Sequence, residues 1–506
     1  MKFKYYIIPL LASLMYSCGE GPDYTNVIPK NSAMVVAFDL DDMSEKGGLS
    51  GPDANEELLS KLEETVKSGL TGSEKLVSKI FDDTSESGLE LEEKVYLFAG
   101  EQASVGGIVA KVNSRRKLEK VIDELCSQQI CGPIQEADGC KWTVVGQWLL
   151  AYSKSAVVLA ADNKGLEPEN LVSQASMWLR QKEGEGFSAS ADFKQIQQKD
   201  GDIVAWTTLE VLPREAVYPL TMGVSAELQL KDVKAISTIN FEKGKTAVDV
   251  ETIVDDKIMS EIMEKKSKVT APVKGTYLDL FPSKTDLWVT ANLKGEEFFS
   301  FICENPTVRR IFQSSLIPVD FKSIFNAIDG DVAMSMDRNG QDFIVFADIN
   351  SDGFLKSFES LKTMAAMTGG QVVLKNYGDN GYSFRTHDGS LVGLRKGPVS
   401  LWIGVKDNKL YLTNKESLID RKVLGLSLRN REWGTRVTGQ KFFMSSNLSS
   451  LNKLLDLNHL NGTMASALAF FGGLDYLTVE SSDGKNIHIE ILMKDKEKNP
   501  LTMIFN

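Results

Sequence analysis

The stretch DINSDGFLKSFE, residues 348–359, carries oxygen donors at the spacing of a helix–loop–helix calcium loop. Calcium takes about six to eight oxygens at flexible geometry, drawn from alternate positions of a short loop. In that register Asp348, Asn350 and Asp352 offer side chains, Phe354 its carbonyl, a water beside Lys356 the next oxygen, and Glu359 a bidentate carboxylate. Gly353 falls where the sharp turn is needed, and Leu355 where such loops pack inward. The competing reading is a turn feeding a helix, because Asp, Asn, Ser and Gly concentrate at helix starts for reasons of their own. The preceding DFIVFA is a β-prone run, so a strand and not a helix enters the loop. A second copy of the same strand–turn–helix places Lys111, Arg115 and Ile122 at the positions of Asp348, Asp352 and Glu359. The fold therefore does not require a metal there. The favoured expectation is a helix capped by Ser351 or Asp352, with Phe354, Phe358, Leu361 and Ala365 on its buried face. Calcium is the only cofactor that the sequence offers.

Other reactive residues lack partners. After Cys18 the cysteines are Cys126, Cys131, Cys140 and Cys303, at no zinc spacing and with no histidine nearby. Cys126, Cys131 and Cys140 could close one short disulfide in an oxidising compartment, or remain free thiols. Neither a Gly-x-Ser-x-Gly elbow nor a His-Glu-x-x-His pattern is present, and Gly244-Lys245-Thr246 lacks the upstream glycine of a phosphate loop. The adjacent carboxylates Asp82-Asp83 and Asp255-Asp256 could in principle serve a glycosidase, but acidic pairs are ordinary on solvated faces. Trp142, Trp148, Trp288 and Trp402 sit in strand patterns and read as core, with a sugar-stacking platform as the sharper alternative.

The elements that must position these residues begin with an export signal. Lys2 and Lys4 precede the apolar run Tyr5 to Tyr16, which is too short to span a bilayer. Ser17-Cys18 ends it in the manner of a lipobox, although Met15 and Tyr16 replace the usual leucine and small residue. Cleavage before Cys18 would allow acylation and durable anchoring through several chains. The formal charge of −12 disfavours nucleic acid as a partner, and removing the two lysines makes the balance more negative still. With 42% apolar residues the chain has ample material for packed cores.

The second half repeats the first. Residues 27–44 align with 279–298, 94–125 with 331–362, 154–164 with 407–417, and 237–254 with 476–493, in the same order. Each half contains hairpins and meanders with amphipathic helices between them, as in ANEELLSKLEETVKSGL (54–70), ENLVSQASMWLRQK (169–182) and KESLIDRKVLGLSL (415–428). The expected fold class is α+β, with two duplicated domains of mainly antiparallel sheet and packed helices. The expected divisions are a signal at 1–17, a tether at 18–26, repeats at 27–254 and 279–506, and a connector of helix and loop at 255–278.

The opening Tyr24-x-x-x-Ile28-Pro29-Lys30-x-Ser32-Ala33, followed by MVVAFDL shortly after a lipobox cysteine, resembles a family of uncharacterised Bacteroidetes lipoproteins. KVYLFAG and GIVAKVNSRRKLEKVIDEL extend the likeness over most of residues 24–506. The resemblance implies an exported, outer-membrane lipid-anchored protein with no assigned activity, facing the periplasm or the cell surface. The function expected is a non-enzymatic binding or assembly module of the cell envelope. Its partners would be the membrane through the Cys18 anchor, and another envelope protein, a glycan or a peptide. The alternative is a hydrolase of envelope or dietary polymers, which needs two acidic groups, or an acid and a nucleophile, converging in one pocket.

Overall fold

The computed structural model describes residues 23–505 apart from 53, 71, 101–104, 138, 163–166, 212–229, 255, 314–318, 338–340, 390–395 and 450–470. The signal, Cys18 and Asp255 lie outside the described residues. Two compact units emerge, one holding the described residues up to Val211 with Ala235–Ile239, the other those from Asn240 to Ile504.

Runs of alternating apolar residues give the first unit its strands: β1 (Ser32–Phe38), β2 (Val95–Gly100), β3 (Val105–Lys111), β4 (Gln135–Ala137), β5 (Cys140–Val145), β6 (Trp148–Tyr152), β7 (Ala156–Asp162) and β8 (Ile203–Thr208). Their spatial order is β4-β5-β6-β7-β3-β2-β1-β8, antiparallel throughout. The chain reaches the second unit within β9 (Lys234–Glu242), which turns at Lys243-Gly244 into β10 (Lys245–Ile253). Then come β11 (Thr270–Ala271), β12 (Leu287–Lys294), β13 (Ile328–Met336), β14 (Phe343–Ile349), β15 (Val372–Asn376) and β16 (Gly381–Thr386). The last strands are β17 (Val399–Lys406), β18 (Lys409–Thr413), β19 (Phe442–Asn447), β20 (Leu474–Ser481) and β21 (Asn486–Met493). Their order is β15-β16-β17-β18-β14-β13-β12-β19-β20-β21-β10, again antiparallel. The stretch from β15 to β19 follows the same connectivity as the whole sheet of the first unit. The architecture is mixed α+β, a large antiparallel sheet with packed helices.

Three local differences from the sequence reading have clear causes. Tyr24–Val27, whose first three residues fall in the expected tether, is a buried 3-10 turn, because Tyr24 donates to the Lys94 carbonyl at 2.7 Å and Ser188 to the Asn26 side chain at 2.7 Å. The repeat boundary at 254 places β10 with the first copy, yet it pairs with β21 from Lys245↔Leu492 to Glu251↔Asn486. The helix expected over 415–428 shrinks to the turn Glu416–Leu418. Gly425 has φ +95, which a right-handed helix cannot include, and the segment's end bonds sideways instead. Ser283 N–H donates to the Leu426 carbonyl at 2.9 Å and Leu428 N–H to that of Phe281 at 3.0 Å.

Both faces of the second sheet are covered. On one face the helix Leu355–Ala366 buries Phe358, Leu361 and Ala365 against Ala347, Tyr382 and Leu410, as its spacing requires. On the other, Tyr277 and Phe281 from the segment after the helix Asp256–Val269 join Trp288, Trp433, Phe443 and Tyr476. In the first unit, the helix Arg115–Ser127 starts at Ser114, whose hydroxyl accepts from Lys117 N–H, and sets Leu118 and Ile122 on Ala110, Tyr152 and Val157. Among the described residues, no helix is long and apolar enough to cross a membrane.

Candidate functional site

The calcium-spaced residues do not converge. Asp348, the penultimate residue of β14, has one carboxylate oxygen accepting from the Tyr277 hydroxyl at 2.7 Å and the other from Asp331 N–H at 3.2 Å. The Phe354 carbonyl accepts the Ser357 hydroxyl at 2.7 Å. Glu359 accepts from the Tyr382 hydroxyl at 2.7 Å with one oxygen and pairs with Lys362 at 2.7 Å through the other. Asn350 and Asp352 are exposed. The cap also differs from the expectation: the helix begins after Phe354 with no side-chain cap, and Ser351 accepts instead from Gly353 N–H at 3.1 Å. Among the described residues, no group of three or more His, Cys, Asp or Glu could hold a metal ion.

The remaining candidates are equally separate. Cys126, Cys131 and Cys140 are free thiols. Cys140 is buried against the Ser176 hydroxyl at 2.9 Å, while Cys131 Sγ lies 3.5 Å from the Ile122 carbonyl. Trp142, Trp288 and Trp402 are buried, whereas Trp148 is exposed at the start of β6. Asp83 caps the 3-10 turn Thr84–Ser87 on the surface.

A polar cluster that the sequence reading did not assemble lies where β10, β20 and β21 run side by side. Register puts Asp249 opposite His488, Ala247 opposite Glu490, and Glu480 opposite His488. Glu490, only 4% exposed, accepts from Lys245 at 2.8 Å and pairs with Arg436 at 2.5 Å. His488 lies 2.7 Å from Asp249 through Nδ1 and 3.5 Å from Glu490 through Nε2. These bonds, that to Glu490 first, push the imidazole up to about 9. The hydrogen bond from His488, aided by Arg436 and Lys245, holds the Glu490 carboxyl well below the usual carboxylate range. Burial pushes the Glu480 carboxyl up, although Arg436 lies 3.7 Å away. Beside the cluster a cavity of about 260 Å³ is bounded by Gly244, Trp433 and Leu492, with Lys243, Lys245 and Lys496 around it.

Chemically this is an ion-pair lattice. Both Glu490 oxygens and both His488 nitrogens are engaged, so neither group is free to move a proton for a substrate. The cluster supplies fixed charges and locks the β10–β21 register. The sequence hid it because NIHIEILM alternates, and the isoleucines claim the inward face on hydropathy alone. In the fold the face of His488, Glu490 and Leu492 turns toward Trp433 and Tyr476, and the isoleucines remain half-buried on the other. Lys245 and Asp249 on β10 and His488 and Glu490 on β21, charged or titratable residues on one face of two adjacent strands, were the available signal.

A family model described as a domain of unknown function, DUF4836, matches residues 24–501. No curated protein matches the chain. Among solved structures, crystal form IV of TP0453 is 10% identical, covering 46% of this chain and 81% of that one, with a TM-score of 0.27. Form III is 10% identical, with coverages of 51% and 90% and a TM-score of 0.28. Likeness at this level carries no argument about the site.

Two outcomes test this geometry. Asp348→Ala leaves the buried Tyr277 hydroxyl and the Asp331 N–H without their acceptor, a loss of about 1–3 kcal/mol in denaturant unfolding. Saturating calcium should shift the unfolding midpoint of neither wild type nor variant. For His488, whose folded value of about 9 exceeds the ordinary value of 6.5, the linked stability is fully present below pH 6.5 and lost as pH rises through 9. An NMR titration of the His488 ring should show it still protonated at neutral pH, with a lower midpoint in Asp249→Asn.

Proposed function

This chain belongs to the DUF4836 family, and on that premise we propose that it is a non-enzymatic binding or assembly module of the cell envelope, held at the outer membrane by acylation of Cys18. The observation that carries the non-enzymatic part is the pairing within the cluster around Glu490. Glu490 is held by Lys245, Arg436 and His488 together, His488 is also held by Asp249, and neither a nucleophile nor an available acid–base pair stands among them. Glu480 and Glu490 both face Arg436, but Glu490 is fully engaged and so does not form the carboxylate pair that a hydrolase would need.

The anchor rests on the basic start, the short apolar run and Ser17-Cys18. We further infer that the two halves descend from one duplicated domain. The shared strand connectivity from β4 to β8 and from β15 to β19 supports it, as do the four sequence matches in the same order. Such a module would present its surfaces to another envelope protein, a glycan or a peptide.

The anchor is tested by fractionating cells that express the full chain. Wild type should sediment with membranes and its mature N-terminus should carry acyl mass, while Cys18→Ser should appear in the aqueous fraction. Equal membrane association of the two, with no acyl mass, would remove the anchored reading.

A further inference from the structure

The segment that fails to become a helix exposes two leucines. Leu424 is 91% exposed and Leu426 64%, on either side of Gly425. Their base is rigidly built. Ser283 N–H holds the Leu426 carbonyl at 2.9 Å, Phe281 accepts from Leu428 N–H at 3.0 Å, and the Ser427 hydroxyl donates to Asp279 at 3.0 Å. Leu428, two residues past Leu426, has no exposed surface. The leucines are therefore outside by construction, since the chain on either side has committed its bonds.

The charges around them separate into used and unused. Arg429 pairs with Asp279 at 2.7 Å, Arg431 lies 4.0 Å over the Tyr476 ring, and Asp420 is bound by Lys406. Arg421 and Lys422 are exposed and have no carboxylate partner among the described residues. On a chain of net charge −12, a prong with two unpaired cations and two bare leucines is complementary to an anionic surface with an apolar interior. Two isolated leucines form too small a patch for a protein interface of roughly 800 Å² per partner. They suffice for an interfacial contact in which a few apolar side chains enter at the headgroup boundary and cations meet anionic lipid.

We propose that the loop Arg421–Leu426 dips into an anionic bilayer surface as a second, reversible membrane contact. The inference rests on the anchored reading, which keeps a bilayer within reach of the chain at all times. It gives Gly425 a role, as the residue whose positive φ sets the leucines out from the base.

The test is hydrogen exchange at the amides of Lys422–Leu426 in the full chain. It is reconstituted into vesicles of phosphatidylcholine alone or with added phosphatidylglycerol, and flotation of wild type and Cys18→Ser reports the anchor separately. Exchange should slow by roughly tenfold in the phosphatidylglycerol vesicles only. High salt should weaken the effect, and Leu424→Ser/Leu426→Ser should abolish it. Both positions are exposed, so that variant should fold and keep its midpoint. If the chain floats through Cys18 but these amides exchange equally in both vesicles, the loop contact is wrong and the anchor stands. If wild type does not float, the anchor is wrong, and slowing on added phosphatidylglycerol vesicles still decides the loop. Slowing without lipid that grows with protein concentration would assign the loop to a second copy of the chain and overturn the proposal.

Discussion

Asp331 has no exposed surface, and one side of the second unit is arranged to satisfy its carboxylate. Lys274 N–H reaches its two oxygens at 2.9 and 3.1 Å, Thr276 N–H donates at 3.0 Å, and the Asn292 amide at 2.8 Å. A buried carboxylate without donors is among the costliest groups a fold can contain, so the segment that brings these N–H groups is fixed in place. Tyr277 follows at once, donating to Asp348 and stacking on Phe346 at 5.8 Å. Phe281 comes next, against Trp288 at 6.2 Å, and its carbonyl and the Ser283 N–H then receive the base of the loop at 426–428. One buried acid thus orders a path from β13 to the exposed prong.

The same residues show what the first of the calcium-spaced carboxylates does in the fold. Asp348 stands at the first ligand position by sequence, but its two oxygens belong to Tyr277 and the Asp331 backbone. Loop chemistry and sheet chemistry draw on the same short polar residues, and only the partner brought by Tyr277, far away in the chain, decides between them. Spacing along a chain cannot reveal that partner.

Where periodicity reported packing directly, the sequence was legible. Phe358, Leu361 and Ala365 lie on the buried face their spacing assigns, and the residues 142–161 form the meander β5, β6 and β7. Legibility failed where tertiary bonds override hydropathy. In β21 the face of Glu490 turns inward because Lys245 and Arg436 come with it, and over 415–428 the sideways bonds of Leu426 and Leu428 replace a helix whose leucines would have packed. Several charges of the second unit are engaged in such internal pairing. Among the described residues, Arg421 and Lys422 are cations without a carboxylate partner that stand beside two exposed leucines, and that combination is what the loop offers a surface.

The most direct test of this account is amide exchange in Asp331→Asn. An asparagine at this position offers one carbonyl and places an N–H₂ group against backbone donors, so the segment it holds should loosen. Protection at Lys274 and Thr276 should fall together with that of Leu428, while Leu149 to Val158 in the first unit keep theirs. Loss at Lys274 and Thr276 with Leu428 unchanged would show that the loop base stands without Asp331, and would contradict the dependence drawn here.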